Sequence, residues 1–196
     1  MNARALAPGI ACLHRLAWQP GASMHAHWWQ RLSLEHWGDV YRHAPSCRRA
    51  IDATIVASRG FPSAPLSASL APRDQALIGL APRWRRFITA LGVVALDCPD
   101  HLLLGTHREA LAAWLNDQDC EQLLAIHGKW NAGAAPVAAD RLAQAAYEAG
   151  TRWWVRDADS NMTCRLLATL LPPLEAGDST PDANAADCII RISRFL

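Results

Sequence analysis

The chain has 196 residues, 51% of them hydrophobic and 19% charged, with a formal net charge of +1 at pH 7. This composition excludes an intrinsically disordered chain, and the near-zero charge excludes a global field that would draw the protein to nucleic acid or to an anionic membrane. At this length about 70% of the unfolded surface can be buried, so one domain, or one domain with a small appendage, needs no covalent staples. The six cysteines (Cys12, Cys47, Cys98, Cys120, Cys164, Cys188) are widely spaced with no CxxC pair, which predicts reduced thiols in a soluble cytosolic protein.

Arg4 precedes an apolar stretch cut by Pro8, Gly9, His14 and Arg15, so it lacks the uninterrupted apolar run of a secretory signal. No window approaches the roughly 18 to 20 uncharged apolar residues of a membrane helix, which argues against direct membrane insertion. The Asn161-Met162-Thr163 sequon then carries no weight, because glycosylation needs a compartment the chain is not expected to enter. In residues 1–23 the turn signals Pro8-Gly9 and Pro20-Gly21 bracket a short apolar piece from Ile10 to Trp18, predicting a loosely docked N-terminal arm.

Met24 to Arg42 is dense in Trp and His, and Trp29, Leu32, His36 and Val40 or His43 recur at helical spacing until Pro45. A second helix is expected from Ser46 as N-cap, with Cys47, Ala50, Ile51, Thr54 and Ile55 on one side and Gly60 and Pro62 as its stop. Three prolines between Phe61 and Pro72 make that stretch a connector.

A short helix follows from about Arg73 to Leu80, and Pro82 opens a long one. There Trp84, Phe87, Ile88, Leu91, Val94 and Ala95 form an apolar stripe while Arg85, Arg86 and Thr89 face away. After Cys98-Pro99-Asp100, Thr106 and Glu109 have capping-box spacing before Ala110, Leu111, Trp114 and Leu115. Asn116 or Asp117 can cap the next helix, which places Cys120, Leu123, Leu124 and His127 on one face and Gly128 at its end. An Ala-rich helix is expected over Val137–Ala149, ended by Gly150, whose stripe of Leu142, Ala145, Ala146 and Ala149 permits close helix approach.

The last strong apolar region runs from Trp153 to Leu171 and stops at Pro172-Pro173. Glu175, Asp178, Asp182 and Asp187 then suggest a solvated acidic tether, and Cys188–Leu196 fits either a late strand or a frayed peptide. The expected fold is all-α: a compact multi-helix domain with an N-terminal arm and a flexible acidic C-terminal tail. Its segments are a Trp/His-rich part (1–60), a connector (61–72), a helical core (73–173) and the tail (174–196).

His25, His27, His36, His43 and Cys47 are the residue types that ligate zinc, so a helical metal-binding enzyme or sensor built on residues 25–47 is the alternative reading. The spacing opposes it, since His25 and His27 point to different sides of a helix and Pro45 interrupts His43 and Cys47. Cys98, Asp100, His101 and His107 could supply a thiolate and a base, but Cys98-Pro99 has the form of a helix terminus. No P-loop, dinucleotide fingerprint, nucleophile elbow or HExxH motif occurs, so neither an enzyme nor a cofactor is expected. Arg83, Arg85 and Arg86 around Trp84 could hold phosphates and stack bases, yet Trp84 lies on the apolar stripe, so a core Trp with a solvated or acid-pairing rim is the preferred reading over nucleic-acid binding. Nine tryptophans are more than a core of this size needs, and Trp28, Trp29 and Trp37 sit among His and Arg. Those three and the rim arginines Arg83, Arg85 and Arg86 are the candidate partner-binding residues.

The run Arg83–Trp130, RWRRFITALGVVALDCPDHLLLGTHREALAAWLNDQDCEQLLAIHGKW, with its Leu/Ala helix, polar break and "REALAAWL" and "CEQLLAI" segments, resembles the accessory proteins of bacterial type III secretion sorting platforms, the SctK (YscK, OrgA) family. The early HAHWWQRL segment is similar to that family as well, and the likeness extends to about Leu171. It implies a cytosolic, non-enzymatic adaptor, peripheral to the inner membrane. Its implied partners are the cytoplasmic domain of the inner-membrane ring protein and the sorting-platform pod protein.

Overall fold

A computed structural model of the chain describes residues 7–176 and 181–196. Arg4 and Asp178, which entered the expectations for the arm and the acidic tether, lie outside the described residues. Within them the fold is all-α, with no strand. In chain order the helices are α1 (Pro8–Trp18), α2 (His27–Arg31), α3 (Glu35–His43), α4 (Arg48–Arg59), α5 (Pro72–Gly79) and α6 (Trp84–Leu96). There follow α7 (Asp100–Leu103), α8 (Gly105–Leu111), α9 (Asp117–His127), α10 (Ala139–Ala158), α11 (Met162–Ala168) and α12 (Ala185–Ile192). They form two compact units, Met1–Gly79 with Ser160–Pro173, and Leu80–Asp159 with Leu174–Leu196.

In the first unit the expected loose arm is instead a docked helix. Pro8 and Gly9 fall in the first turn of α1, where a missing N–H costs nothing, and Leu13, Leu16 and Ala17 are buried against α4, α5 and α11. Arg59, at the end of α4, fastens α1 by donating to the carbonyls of Leu16 and Ala17, and it also donates to Phe61 O. The single helix expected from Met24 is broken. Ser33, at φ 57°, lets Leu34 N–H reach Trp29 O (2.8 Å) and its own N–H reach Gln30 O (2.9 Å), the paired bonds of a Schellman ending without the usual glycine. The chain therefore turns between α2 and α3, and Met24, Leu34, Tyr41, Ile51 and Ile55 close into a core with Trp28 and Trp29 packed on it. Helix α4 begins at Arg48 after a 3-10 turn over Pro45–Cys47, with no side-chain cap from Ser46, and ends at Gly60 in the left-handed conformation (φ 73°).

The second unit is built on α6 and α10. Helix α10 does not stop at Gly150 but runs through it, because Gly150 is where the two backbones touch: a Cβ there would stand 2.0 Å from Ile88 O. Since α10, α12 and α9 all pack on α6, that helix is buried nearly all round. Thr89, expected to face outward, is fully buried and satisfies its hydroxyl on Arg85 O at 2.9 Å. Asn116 caps α9 in a reciprocal capping box with Asp119, and Gly128 ends it at φ 69°. Thr106 and Glu109 form no such box, because α8 already starts at Gly105. The final segment is neither strand nor frayed peptide. It is helix α12, capped by Asn184 and buried along Ala185, Ala186, Cys188, Ile189 and Ile192.

Candidate protein-interaction surface

A groove of about 330 Å³ opens on the first unit between α3 and α4, lined by Leu34, Trp37, Ser46, Cys47, Ala50, Ile51 and Thr54. Its floor is rigid, because Leu34 and Ile51 belong to the buried core. Its lip is open: Trp37 is 41% exposed, with the His36 ring tilted against the indole at 5.2 Å. Thr54 donates its hydroxyl to Ala50 O (3.0 Å), which leaves the wall largely apolar. Covering a half-exposed Trp beside such a wall is worth on the order of 1 to 2 kcal/mol at roughly 25 cal/mol per Å², the scale of an interface anchor.

A buried polar network sets the position of α4 behind this groove. The Asp52 carboxylate accepts from the Gly21 N–H (3.0 Å) and from the Tyr41 hydroxyl (3.2 Å). Burial pushes the Asp52 carboxyl above the ordinary carboxylate value, and burial together with the Asp52 charge pushes the Tyr41 phenol up to about 12. Arg48 Nε donates to Tyr41 O at 2.9 Å and stacks over its ring. Gly21 leaves room for the Tyr41 ring, from which a Cβ at that position would lie 2.5 Å.

The sequence-predicted residues separate by their surroundings. Trp28 and Trp29 are half-buried: Trp28 Nε1–H donates to Leu171 O (2.9 Å), and Trp29 lies 5.8 Å from the Tyr41 ring. Of the three tryptophans, Trp37 is the exposed one. In the second unit Arg86 pairs with the buried Asp119 at 2.7 Å, and the Arg85 guanidinium sits 4.4 Å from the Trp114 centroid and 4.7 Å from that of Tyr147. Arg83 is exposed and stacks over Phe87 at 5.3 Å. The arginine rim is thus engaged largely within its own unit, and Trp114 is half-buried beneath Arg85.

The His-rich segment does not converge. His25 accepts from the His27 N–H (3.3 Å), His43 donates from Nδ1 to Asp39 O (2.9 Å), and Cys47 lines the groove. Among the described residues no group of three or more His, Cys, Asp or Glu is placed to hold a metal ion. Cys98 donates to Ala134 O (3.3 Å). His101 and His107 grip a single residue of the connector between α9 and α10, as His101 Nε2 accepts from the Val137 N–H (2.9 Å) and His107 Nε2–H donates to Val137 O (2.9 Å). The Nε2 atom of each imidazole is thus taken up by the main chain, while His101 Nδ1 is buried without a hydrogen-bond partner.

Comparison with protein families matches residues 11–173 to one described as "Type III secretion system subunit". The chain belongs to the type III secretion system subunit family. No curated protein and no solved structure matched this type III secretion subunit. The matched region takes in the Trp37 groove and the α6–α10 pair and ends before α12. No described helix of the subunit is long and apolar enough to cross a membrane.

The stripe Cys47, Ala50, Ile51, Thr54, Ile55 was legible in the sequence as one side of a helix. What it did not show is that Ile51 and Ile55 turn inward while Cys47, Ala50 and Thr54 face a groove. That division depends on α3 arriving beside α4, a tertiary event with no local signal.

Proposed function

We propose that this subunit is a non-enzymatic adaptor of a type III secretion sorting platform, of the SctK (YscK, OrgA) kind. In this reading it lies in the cytoplasm, peripheral to the inner membrane, and joins the cytoplasmic domain of the ring protein to the pod protein. Family membership supports the secretion role, and the observation that carries the adaptor role is the Trp37 groove, an apolar, solvent-open slot with a rigid floor and an aromatic lip. Trp37 is therefore the first of the candidate contact residues and exposed Arg83 the second. The test is titration of the purified full chain against each purified partner domain. Trp37→Ala and Ala50→Glu should each weaken one of the two complexes at least tenfold with unchanged circular dichroism; full binding by both variants removes the groove from the interface, and no binding of either domain by the unaltered chain removes the adaptor role.

A further inference from the structure

Helix α12 lies beyond the family match, yet it is seated on α6 and α10 with five of its side chains buried. Residues of α10 hold the strap that leads into it: Trp153 Nε1–H donates to Ala183 O (2.9 Å), the Arg156 guanidinium donates to the carbonyls of Pro181 and Ala183, and Asp157 Oδ2 accepts from the Ala185 N–H (2.7 Å). In each of these bonds the strap contributes main-chain atoms. Any extended segment leading into a helix presents the same atoms, so these hydrogen bonds read conformation, while the Asp182 carboxylate of the strap adds its charge to the Arg156 guanidinium. Sequence enters through that charge and through the stripe beneath: small residues at Ala185 and Ala186, then Cys188, Ile189 and Ile192 at three, four and seven positions from the first. The opposite side of α12 carries the exposed Asp187 and Arg191.

We propose that the α6–α10 face is an acceptor for an amphipathic helix, filled in cis by α12, and that a helix of the same pattern from another subunit of the secretion apparatus takes its place on assembly. The donor's identity as another subunit rests on the adaptor reading; the acceptor itself does not.

Hydrogen exchange on the intact chain gives the first test. The amides of α12 should exchange at least tenfold faster than those of α10 around Ala146–Trp154, and equal rates would make α12 an inseparable part of the core and overturn the proposal. The second test uses a fluorescent peptide of residues 181–196 and the intact chain carrying Ile189→Asp and Ile192→Asp, which unseat α12 and leave the acceptor untouched. The peptide should bind this variant at least tenfold more tightly than the unaltered chain, and adding Arg156→Ala and Asp157→Ala should abolish the gain. Should the double aspartate variant lose its helical signal, the same peptide is offered to a chain with a protease site in place of residues 174–176, after cleavage; a severed α12 that never exchanges overturns the proposal. A chain that dimerises in light scattering by trading α12 assigns the acceptor to a second copy and overturns the hetero-partner. Peptide exchange without binding of either partner domain keeps the acceptor and removes only the adaptor reading.

Discussion

Gly92 on α6 and Gly150 on α10 face each other where neither has room for a methyl group. A Cβ on Gly92 would stand 1.6 Å from Ala146 O and one on Gly150 2.0 Å from Ile88 O. Both clashes are with backbone, which no rotamer change relieves. Gly→Ala inside an ordinary helix is favourable by up to about 1 kcal/mol. Here Gly150→Ala should instead cost at least about 2 kcal/mol through forced separation of the helices, lowering Tm by roughly 4–8 °C for a chain of this size. A thermal melt with unchanged Tm would mean the crossing is looser than described.

The two exposure classes of tryptophan predict opposite phenotypes. Trp84 is 4% exposed and packs edge-on against Trp154 at 4.7 Å, so Trp84→Ala should destabilise by about 3–5 kcal/mol. Trp37→Ala, at the groove lip, should stay within about 0.5 kcal/mol of the unaltered chain. Urea unfolding of the pair checks this, and equal losses would place Trp37 in the core.

Which features were legible follows from where their causes lie. Local causes were readable: Asn116 caps α9 and Gly128 ends it because one side chain and one positive φ suffice. A glycine in an Ala-rich helix has the form of a stop, and only the neighbouring Ile88 backbone reveals Gly150 as a contact point. The turn at Ser33 carries neither Gly nor Pro, so the periodicity of residues 24–42 ran straight across it. In Cys188–Leu196 the alternation of Ile with Arg and Ser satisfies two periods at once; packing on α6 and α10 selects the helix. The Trp37 groove draws on two helices and the turn between them, so the sequence pattern carries only its α4 wall.

Asp52 makes stability depend on pH with a definite sign. Its carboxyl is raised above the ordinary 3.8, chiefly by burial. Between that value and the native one the folded chain binds more protons than the unfolded chain, so stability increases as pH falls through this window and is lost as pH rises. Relative to Asp52→Asn, which cannot ionise, the unaltered chain should gain stability on acidification from neutral toward about pH 4; a constant difference in urea midpoints refutes the assignment. Asp52→Ala strands the Gly21 N–H and the Tyr41 hydroxyl and should cost about 1–3 kcal/mol.

His101 acts in the opposite direction. Burial first, then the neighbouring His107, hold its imidazole below the ordinary 6.5 against the pull of Asp100. The unfolded chain then binds more protons than the folded one, so the stabilisation is complete above about pH 6.5 and is lost as pH falls from there toward the native value. Protonation also removes the acceptor for the Val137 N–H. Lowering the pH from 7.5 to 5 should therefore reduce the urea midpoint and speed exchange of the Val137 amide. His101→Gln, which keeps an acceptor without titrating, should flatten both responses.

The first unit is completed only by residues 160–173, whose helix α11 covers faces of α1 and α5 and whose Leu171 receives the Trp28 indole. On the ribosome residues 80–159 must be made before that closing piece emerges, a delay of about 4–16 s at 5–20 residues per second. For those seconds the nascent chain carries an unfinished N-terminal half whose apolar faces on α1 and α5 lack their cover. The order of its segments thus imposes a wait during synthesis, in which the N-terminal half stands without the piece that closes it.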